Sequence, residues 1–168
     1  NTLIINNIEF DHADIFSDVD EIYKQFHHLV RIIPNNGNII FHSDDKDVGK
    51  LIHMGCWSNL FALGEESIFY NQQENIISAG NNHFPVNKLP FFGQHNYQNA
   101  LAAMHAAYLN GVDYESAFNS LREFGGVKRR LQVVYNKNNK IVYDDFAHHP
   151  TAISATIDAV IKDHSGGT

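Results

Sequence analysis

Thr2-Leu3-Ile4-Ile5-Asn6 and Asn38-Ile39-Ile40-Phe41-His42 are two short apolar runs, and what lies between them decides the fold. Runs of this length and composition suit buried strands. Between them Val19, Ile22, Tyr23, Phe26, Leu29, Val30 and Ile33 recur at helical spacing, predicting a helix over about 19–32. Ser17 or Asp18 can cap its start, and Pro34-Asn35-Asn36-Gly37 breaks the chain after it. A short helix from Asp47 to Met54 follows the second strand. Strand, helix, strand and helix in succession predict an α/β fold built on a parallel sheet with covering helices.

Beyond residue 58 the texture changes. Leu60–Leu63, Ile68–Tyr70, Ile76–Ser78 and His83–Val86 are short apolar stretches, broken by Gly64, Asn71, Gly80-Asn81-Asn82 and Pro85. All four read as short antiparallel strands and hairpins. Helices are expected at about 96–109 and 114–123, joined by Asn110-Gly111-Val112-Asp113. Ala100, Ala102, Ala103, Ala106 and Ala107 allow the first of these to pack closely. Gly125-Gly126 then breaks the chain and suits a domain boundary. Strands at 130–136 and 140–144, turned by Lys137-Asn138-Asn139, and a helix over about 150–162 complete the pattern.

The chain of 168 residues is 43% hydrophobic, enough to bury a real core. A net charge of −7 argues against a general nucleic-acid surface and makes the basic run Lys128-Arg129-Arg130 more conspicuous. No apolar run approaches the ~20 residues of a membrane span, and no signal-peptide pattern opens the sequence. The single cysteine, Cys56, leaves no internal disulfide and no multi-cysteine zinc site. Together these favour a reducing, cytoplasmic setting. Both ends read as interruptions, a strand at the start and Ser165-Gly166-Gly167-Thr168 where another strand is due, so the chain reads as an excerpt of a longer protein.

Four segments could carry chemistry. Asn6-Asn7-Ile8-Glu9-Phe10-Asp11-His12-Ala13-Asp14 lies at the carboxyl end of a strand, where open α/β sheets bind ligands. Its side chains can hold a hard cation and its waters against phosphate oxygens, or serve only as a polar, helix-capping loop. In Gly93-Gln94-His95-Asn96-Tyr97-Gln98-Asn99-Ala100, Asn96 and Asn99 share a helix face. Carboxamides donate and accept at once, which suits a heterocycle edge such as adenine. The plain alternative makes Asn96 an N-cap and Asn99 a solvated residue. Gly125-Gly126-Val127-Lys128-Arg129-Arg130 suits phosphate contact, or a solvated charged face. Tyr143-Asp144-Asp145-Phe146-Ala147-His148-His149-Pro150 sets two carboxylates at a strand end before two histidines at a helix start. Such groups repel or compete unless a ligand uses them.

Taken together and in this order, the four segments resemble the Mur ligase family, whose members form an amide through an ATP-driven acyl phosphate. Residues 5–14 resemble its Asn-Ile-x-x-Asp-His-x-Asp signature, Gly93–Asn99 its Gly-x-His-Asn-x-x-Asn, and Phe124–Arg130 its Phe-x-Gly-Val-x-Arg-Arg. Asp144–Pro150 resembles the Asp-Asp-Tyr/Phe-x-His-His-Pro form of members acting directly on UDP-N-acetylmuramate. Within these, the wording around Tyr143–Ile153 and Gly55-Cys56-Trp57-Ser58 resembles members that attach the recycled murein tripeptide L-Ala-γ-D-Glu-meso-diaminopimelate, more than those adding L-alanine.

The resemblance implies residues 1–125 as the later part of the central ATPase domain, with a mostly parallel sheet plus small antiparallel strands, and 126–168 as the start of a Rossmann-like C-terminal domain. It implies ATP and Mg2+ as cofactors, UDP-N-acetylmuramate and murein tripeptide as substrates, and no nucleic-acid or membrane partner. His12 would ligate magnesium with Asn7 beside it. Asn96 and Asn99 would face adenine. Arg130, and secondarily Arg129, would contact phosphates. Asp144 or Asp145 would hold the ribose. His148 and His149 would lie near the muramoyl or incoming-peptide end.

These 168 residues contain neither a Gly-rich phosphate loop nor the family's upstream metal-binding glutamate segment, so the excerpt alone is expected to be inactive. Two other classes compete. A metal-dependent phosphohydrolase would use His12, Asp14, Asp145 and His148, and a non-catalytic nucleotide-binding module would need no phosphate loop.

Overall fold

The computed structural model describes residues 1–64 and 68–164. Three strands, β1 (Thr2–Ile5), β2 (Asn38–His42) and β3 (Asn59–Leu63), form a wholly parallel sheet in that order. Helices α1 (Val19–Ile32) and α2 (Lys46–His53) make the two crossovers.

Local chemistry starts α1 and α2 close to where the sequence predicts. Asp18 accepts the Glu21 N–H of the first turn of α1 at 3.0 Å, and the Glu21 carboxylate reaches back to the N–H of Ser17, the residue before the cap, at 2.8 Å. Asp45 does the same for α2 by accepting from Asp47 and Val48, both at 2.9 Å.

The pleat sends alternate side chains of β2 to opposite faces. Ile39, with Ile5, packs under Ile22, Tyr23, Val30, Val48 and Leu51 of α1 and α2. Ile40 faces the other way, into a larger core with Leu63, Leu101 and Met104. A sheet covered on both sides explains why these strands read as continuous apolar runs and do not alternate.

One strand departs from the sequence reading. Leu60–Leu63 belongs to β3 and pairs parallel with β2, Ile40 opposite Phe61, rather than joining an antiparallel hairpin. The remaining short stretches do form antiparallel hairpins: β4 (Ile68–Asn71), β5 (Ile76–Ala79) and β6 (Asn82–Pro85).

Two helices follow, α3 (Gln94–Tyr108) and α4 (Tyr114–Arg122). Helix α3 fills the second face of the parallel sheet with Ala100, Leu101, Ala102 and Met104 buried. The hairpin β7 (Gln132–Lys137) and β8 (Lys140–Asp144) turns on Asn138 and Asn139, both at positive φ (54° and 58°), the geometry a two-residue hairpin turn demands. Helix α5 (Pro150–Asp163) begins on Pro150 and crosses the start of α3, where a Cβ on Gly93 would lie 2.8 Å from the Ala159 Cβ. Phe92 meets Tyr143 edge-on nearby, at 5.9 Å between ring centroids. No described helix is long and apolar enough to cross a membrane.

Candidate functional site

The loop after β1 leaves the carboxyl edge of the parallel sheet. Buried Ile8 anchors it, and His12 turns it through a positive φ of 55°. The His12 carbonyl accepts from Ile15 and Phe16 at 2.8 and 2.9 Å, while the His12 N–H donates to Asp11 Oδ1 at 2.7 Å. That backbone N–H, ahead of the nearby imidazoles of His12, His148 and His149, holds the Asp11 carboxyl below its ordinary value. The His12 side chain is left 64% exposed, open to a ligand. Asn7, earlier on the same loop, is exposed, and its side chain makes no hydrogen bond among the described residues.

The start of α3 forms the second wall. Gly93 takes φ 98°, which a side chain would resist, and its carbonyl accepts from Asn96 and Tyr97. Asn96 is therefore inside the helix, not its N-cap, and its Nδ2 donates back to the Phe92 carbonyl at 2.7 Å. Asn99 Oδ1 accepts from Asn6 Nδ2 at 3.0 Å, which ties α3 to the loop of His12. Among the described residues Asn96 Oδ1 and Asn99 Nδ2 keep no protein partner, so one acceptor and one donor remain. An adenine edge, with its amino group and ring nitrogens, is complementary to that pair.

The third wall is the arginine–aspartate corner. Arg129 and Leu131 both adopt positive φ (59° and 47°), an unfavourable backbone for such residues. Asp145 supports it: Oδ2 accepts the Leu131 N–H at 2.7 Å and Oδ1 the Ala147 N–H at 2.7 Å. The Arg129 carbonyl accepts from Phe146 at 2.8 Å. The Arg129 and Arg130 guanidinium groups lie 4.9 and 5.8 Å from the Phe146 ring centroid, and Arg129 Nε is 3.6 Å from Asp144. Half-buried His95 of α3 sits within the fields of this corner. Burial chiefly pushes its pKa down, with Asp145 opposing and Arg130 reinforcing.

The histidines after this corner reach the first wall. His148 Nε2 is 3.9 Å from Asp11 and His149 Nδ1 is 3.0 Å from Glu9. The loop of His12 thus meets both histidines directly and Asn99 through Asn6, while His95 of α3 adjoins Asp145 and Arg130. Among the described residues, no three His, Cys, Asp or Glu side chains gather as a metal-binding group. A magnesium shell ordinarily keeps several waters and phosphate oxygens, so His12 and Asn7 could supply at most one side of it. The four-residue hydrolase centre of His12, Asp14, Asp145 and His148 does not assemble.

Sequence reasoning gave no separate role to Asn6, Glu9, Asp11 or His95, although all lie within the quoted segments. Their partners on other segments are 35 or more residues away along the chain, as with His95 and Arg130 or Asn6 and Asn99, 93 apart, so no local spacing signals them.

Residues 1–107 match the Mur ligase middle domain. The chain belongs to the Mur ligase family. It is 42% identical over 175 residues to the UDP-N-acetylmuramate–L-alanyl-γ-D-glutamyl-meso-2,6-diaminoheptandioate ligase of Haemophilus influenzae, covering 99% of this chain and 38% of that protein. To the UDP-N-acetylmuramate–L-alanine ligase of Cytophaga hutchinsonii it is 39% identical, covering 94% of this chain and 35% of the relative. Among solved structures, a murein peptide ligase from Psychrobacter arcticus is 33% identical with a TM-score of 0.68, over 98% of this chain and 35% of the other. This Mur ligase chain therefore spans well under half the length of the relatives it matches.

Proposed function

We propose that the chain is part of an ATP- and magnesium-dependent ligase that joins L-Ala-γ-D-Glu-meso-diaminopimelate to UDP-N-acetylmuramate in peptidoglycan recycling, in the cytoplasm. Residues 1–125 are the later part of its central ATP-binding domain and 126–168 the beginning of its C-terminal ligase domain. The observation carrying this reading is the end-to-end similarity to the tripeptide ligase, across 99% of the chain at 42% identity.

The side-chain arrangement supports distinct roles. Asn96 and Asn99 offer the acceptor and donor for adenine. Asp145 engages each of its oxygens with a backbone N–H, so ribose binding falls to Asp144, whose side chain has only the loose contact to Arg129 among the described residues. Arg130, with Arg129, neutralises phosphate charge. His12 and Asn7 would hold a magnesium ion, whose charge would screen the phosphate oxygens. His148 and His149 face the end where the peptide arrives. The muramoyl carboxylate attacks the γ-phosphorus and ADP departs. The peptide's amine then attacks the acyl carbon, the C–O bond to phosphate breaks, and phosphate leaves. Positioning and charge neutralisation carry such chemistry.

The test is ADP release by the intact protein with UDP-N-acetylmuramate and either the tripeptide or free L-alanine. Turnover is expected with the tripeptide and at least tenfold less with L-alanine. The reverse preference would move the chain to the L-alanine ligases, and ATP hydrolysis indifferent to muramoyl substrate would remove the ligase reading.

A further inference from the structure

We infer that Glu9 is a positioning residue, which holds His149 so that its Nε2 is the ring nitrogen presented to the incoming peptide. His149 occupies the N-cap position of α5, where its side chain caps nothing. Its backbone is fixed by the carbonyl, which accepts from Ile153 at 2.9 Å. On the ring itself, Nδ1 lies 3.0 Å from Glu9 Oε2. Nδ1 is buried and makes no hydrogen bond among the described residues; the Glu9 carboxylate is its charged neighbour, within ion-pair distance but well off the line of a ring N–H. The imidazole keeps 29% of its surface exposed, on atoms other than Nδ1.

A buried ring nitrogen beside a carboxylate is most stable carrying the proton, because the negative oxygen attracts the N–H and repels a lone pair. The proton on Nδ1 leaves Nε2 as the acceptor. An acceptor is what an attacking amine requires, since its nitrogen lone pair must point at the carbon while an N–H points away. The neighbouring histidine cannot substitute: His148 Nδ1 is engaged with the Phe146 carbonyl at 3.0 Å, and its Nε2 faces Asp11. Glu9 lies on the loop after β1 and His149 beyond β8, so the contact joins the two segments. The inference rests on the ligase reading for its substrate, but the tautomer can be measured without turnover.

The experiment uses the intact protein with 15N-labelled histidine, His149 being identified by the signal lost in His149→Gln. Long-range 15N–1H correlation is expected to show the Nδ1–H tautomer in the wild type and a mixture dominated by Nε2–H in Glu9→Ala. In turnover, Glu9→Ala is expected to lower kcat/KM for the tripeptide about 10- to 100-fold. KM for ATP should change less than twofold, and Glu9→Gln, which keeps an acceptor oxygen, should recover at least a third of the loss. An Nε2–H tautomer in the wild type overturns the proposal whatever the rates show. So does equal damage to the ATP and tripeptide parameters, or Gln behaving like Ala. A wild type with the Nδ1–H tautomer but no ligase turnover would instead strike the functional reading alone.

Discussion

Asp145 grips the backbone on both sides of itself, accepting from Leu131 across 14 residues of sequence and from Ala147 two residues on, each at 2.7 Å. The long-range bond stabilises the positive φ of Leu131 and so aims the preceding residue, Arg130. Hydrogen bonds to a charged acceptor contribute about 1.5–3 kcal/mol, and the half-buried setting here points to the lower end. Asp145→Ala should therefore destabilise the intact protein by roughly 2 kcal/mol and raise KM for ATP about tenfold. Asp144→Ala removes only an exposed contact to Arg129, worth at most about 1 kcal/mol, yet on the proposed reading it also loses ribose. Thermal unfolding beside ATP kinetics should separate the two aspartates: Asp145 moves both quantities, Asp144 the kinetics alone. Unchanged KM in Asp144→Ala would take the ribose role from it.

His105 should make stability fall with acid. It is buried on α3, with Nδ1 bonded to the Tyr114 hydroxyl at 2.8 Å and Nε2 buried without a partner among the described residues. Burial pushes its pKa below 6.5, and the same burial drives the Tyr114 hydroxyl up to about 12. Because the folded state resists the proton, the unfolded chain binds it first as pH falls through 6.5. Stability from this group is fully present above 6.5 and declines below it, by at most about 1.4 kcal/mol per pH unit, until the folded value is passed. His105→Phe should flatten the fall in melting temperature between pH 7.5 and 5, relative to wild type. A parallel decline in both proteins would show that the acid sensitivity lies elsewhere, for instance in His42 or His95, whose pKa values burial also lowers.

The helices and most strands were legible because their signals are local. Asp18, Asp45 and Asp113 each cap a helix within three residues of themselves, and Asn138-Asn139 demands a tight hairpin. Strand β3 was misread for an equally physical reason. Leu60–Leu63 has the same length and apolarity in a parallel or an antiparallel pairing, and only the crossover through α2 distinguishes them. The expected helix from Asp47 to Met54 already implied that crossover, but the glycine and asparagine breaks beyond it drew the strand into the following hairpins. In the site, residue types were readable and partners were not. The family resemblance singles out Asn7, yet the neighbour whose side chain contacts another segment is Asn6, which donates to Asn99 of α3.

Gly93 should tolerate no side chain, for two separable reasons. At φ 98° an L-residue is strained by about 1–3 kcal/mol, and an added Cβ would meet the Ala159 Cβ at 2.8 Å. Gly93→Ala is expected to lower melting temperature and weaken ATP binding, since the strain lies one turn before Asn96. Pairing it with Ala159→Gly relieves the collision but not the backbone, so the double variant should recover only part of the loss. Full recovery would mean that the conformation costs nothing. No recovery would mean that helices α3 and α5 do not approach as described.

The bond from Asn6 to Asn99 sets which end of the Asn99 carboxamide points outward. With Oδ1 engaged at 3.0 Å, Nδ2 is left to donate, while Asn96 presents Oδ1 because its own Nδ2 is held by Phe92. Removing the tether with Asn6→Ala loses one neutral hydrogen bond, about 1 kcal/mol, and should raise KM for ATP roughly fivefold as the carboxamide turns freely. Asn6→Asp should do more harm, although it is nearly isosteric. The new carboxylate can only accept, so Asn99 must offer it Nδ2 and expose Oδ1 instead. Two acceptors would then face adenine, and a ring nitrogen that needs a donor would meet an oxygen. The expected order of KM for ATP is therefore wild type, then Asn6→Ala, then Asn6→Asp, with melting temperature nearly unchanged. If the aspartate variant bound ATP as well as wild type, the orientation of Asn99 could not be what recognises the base.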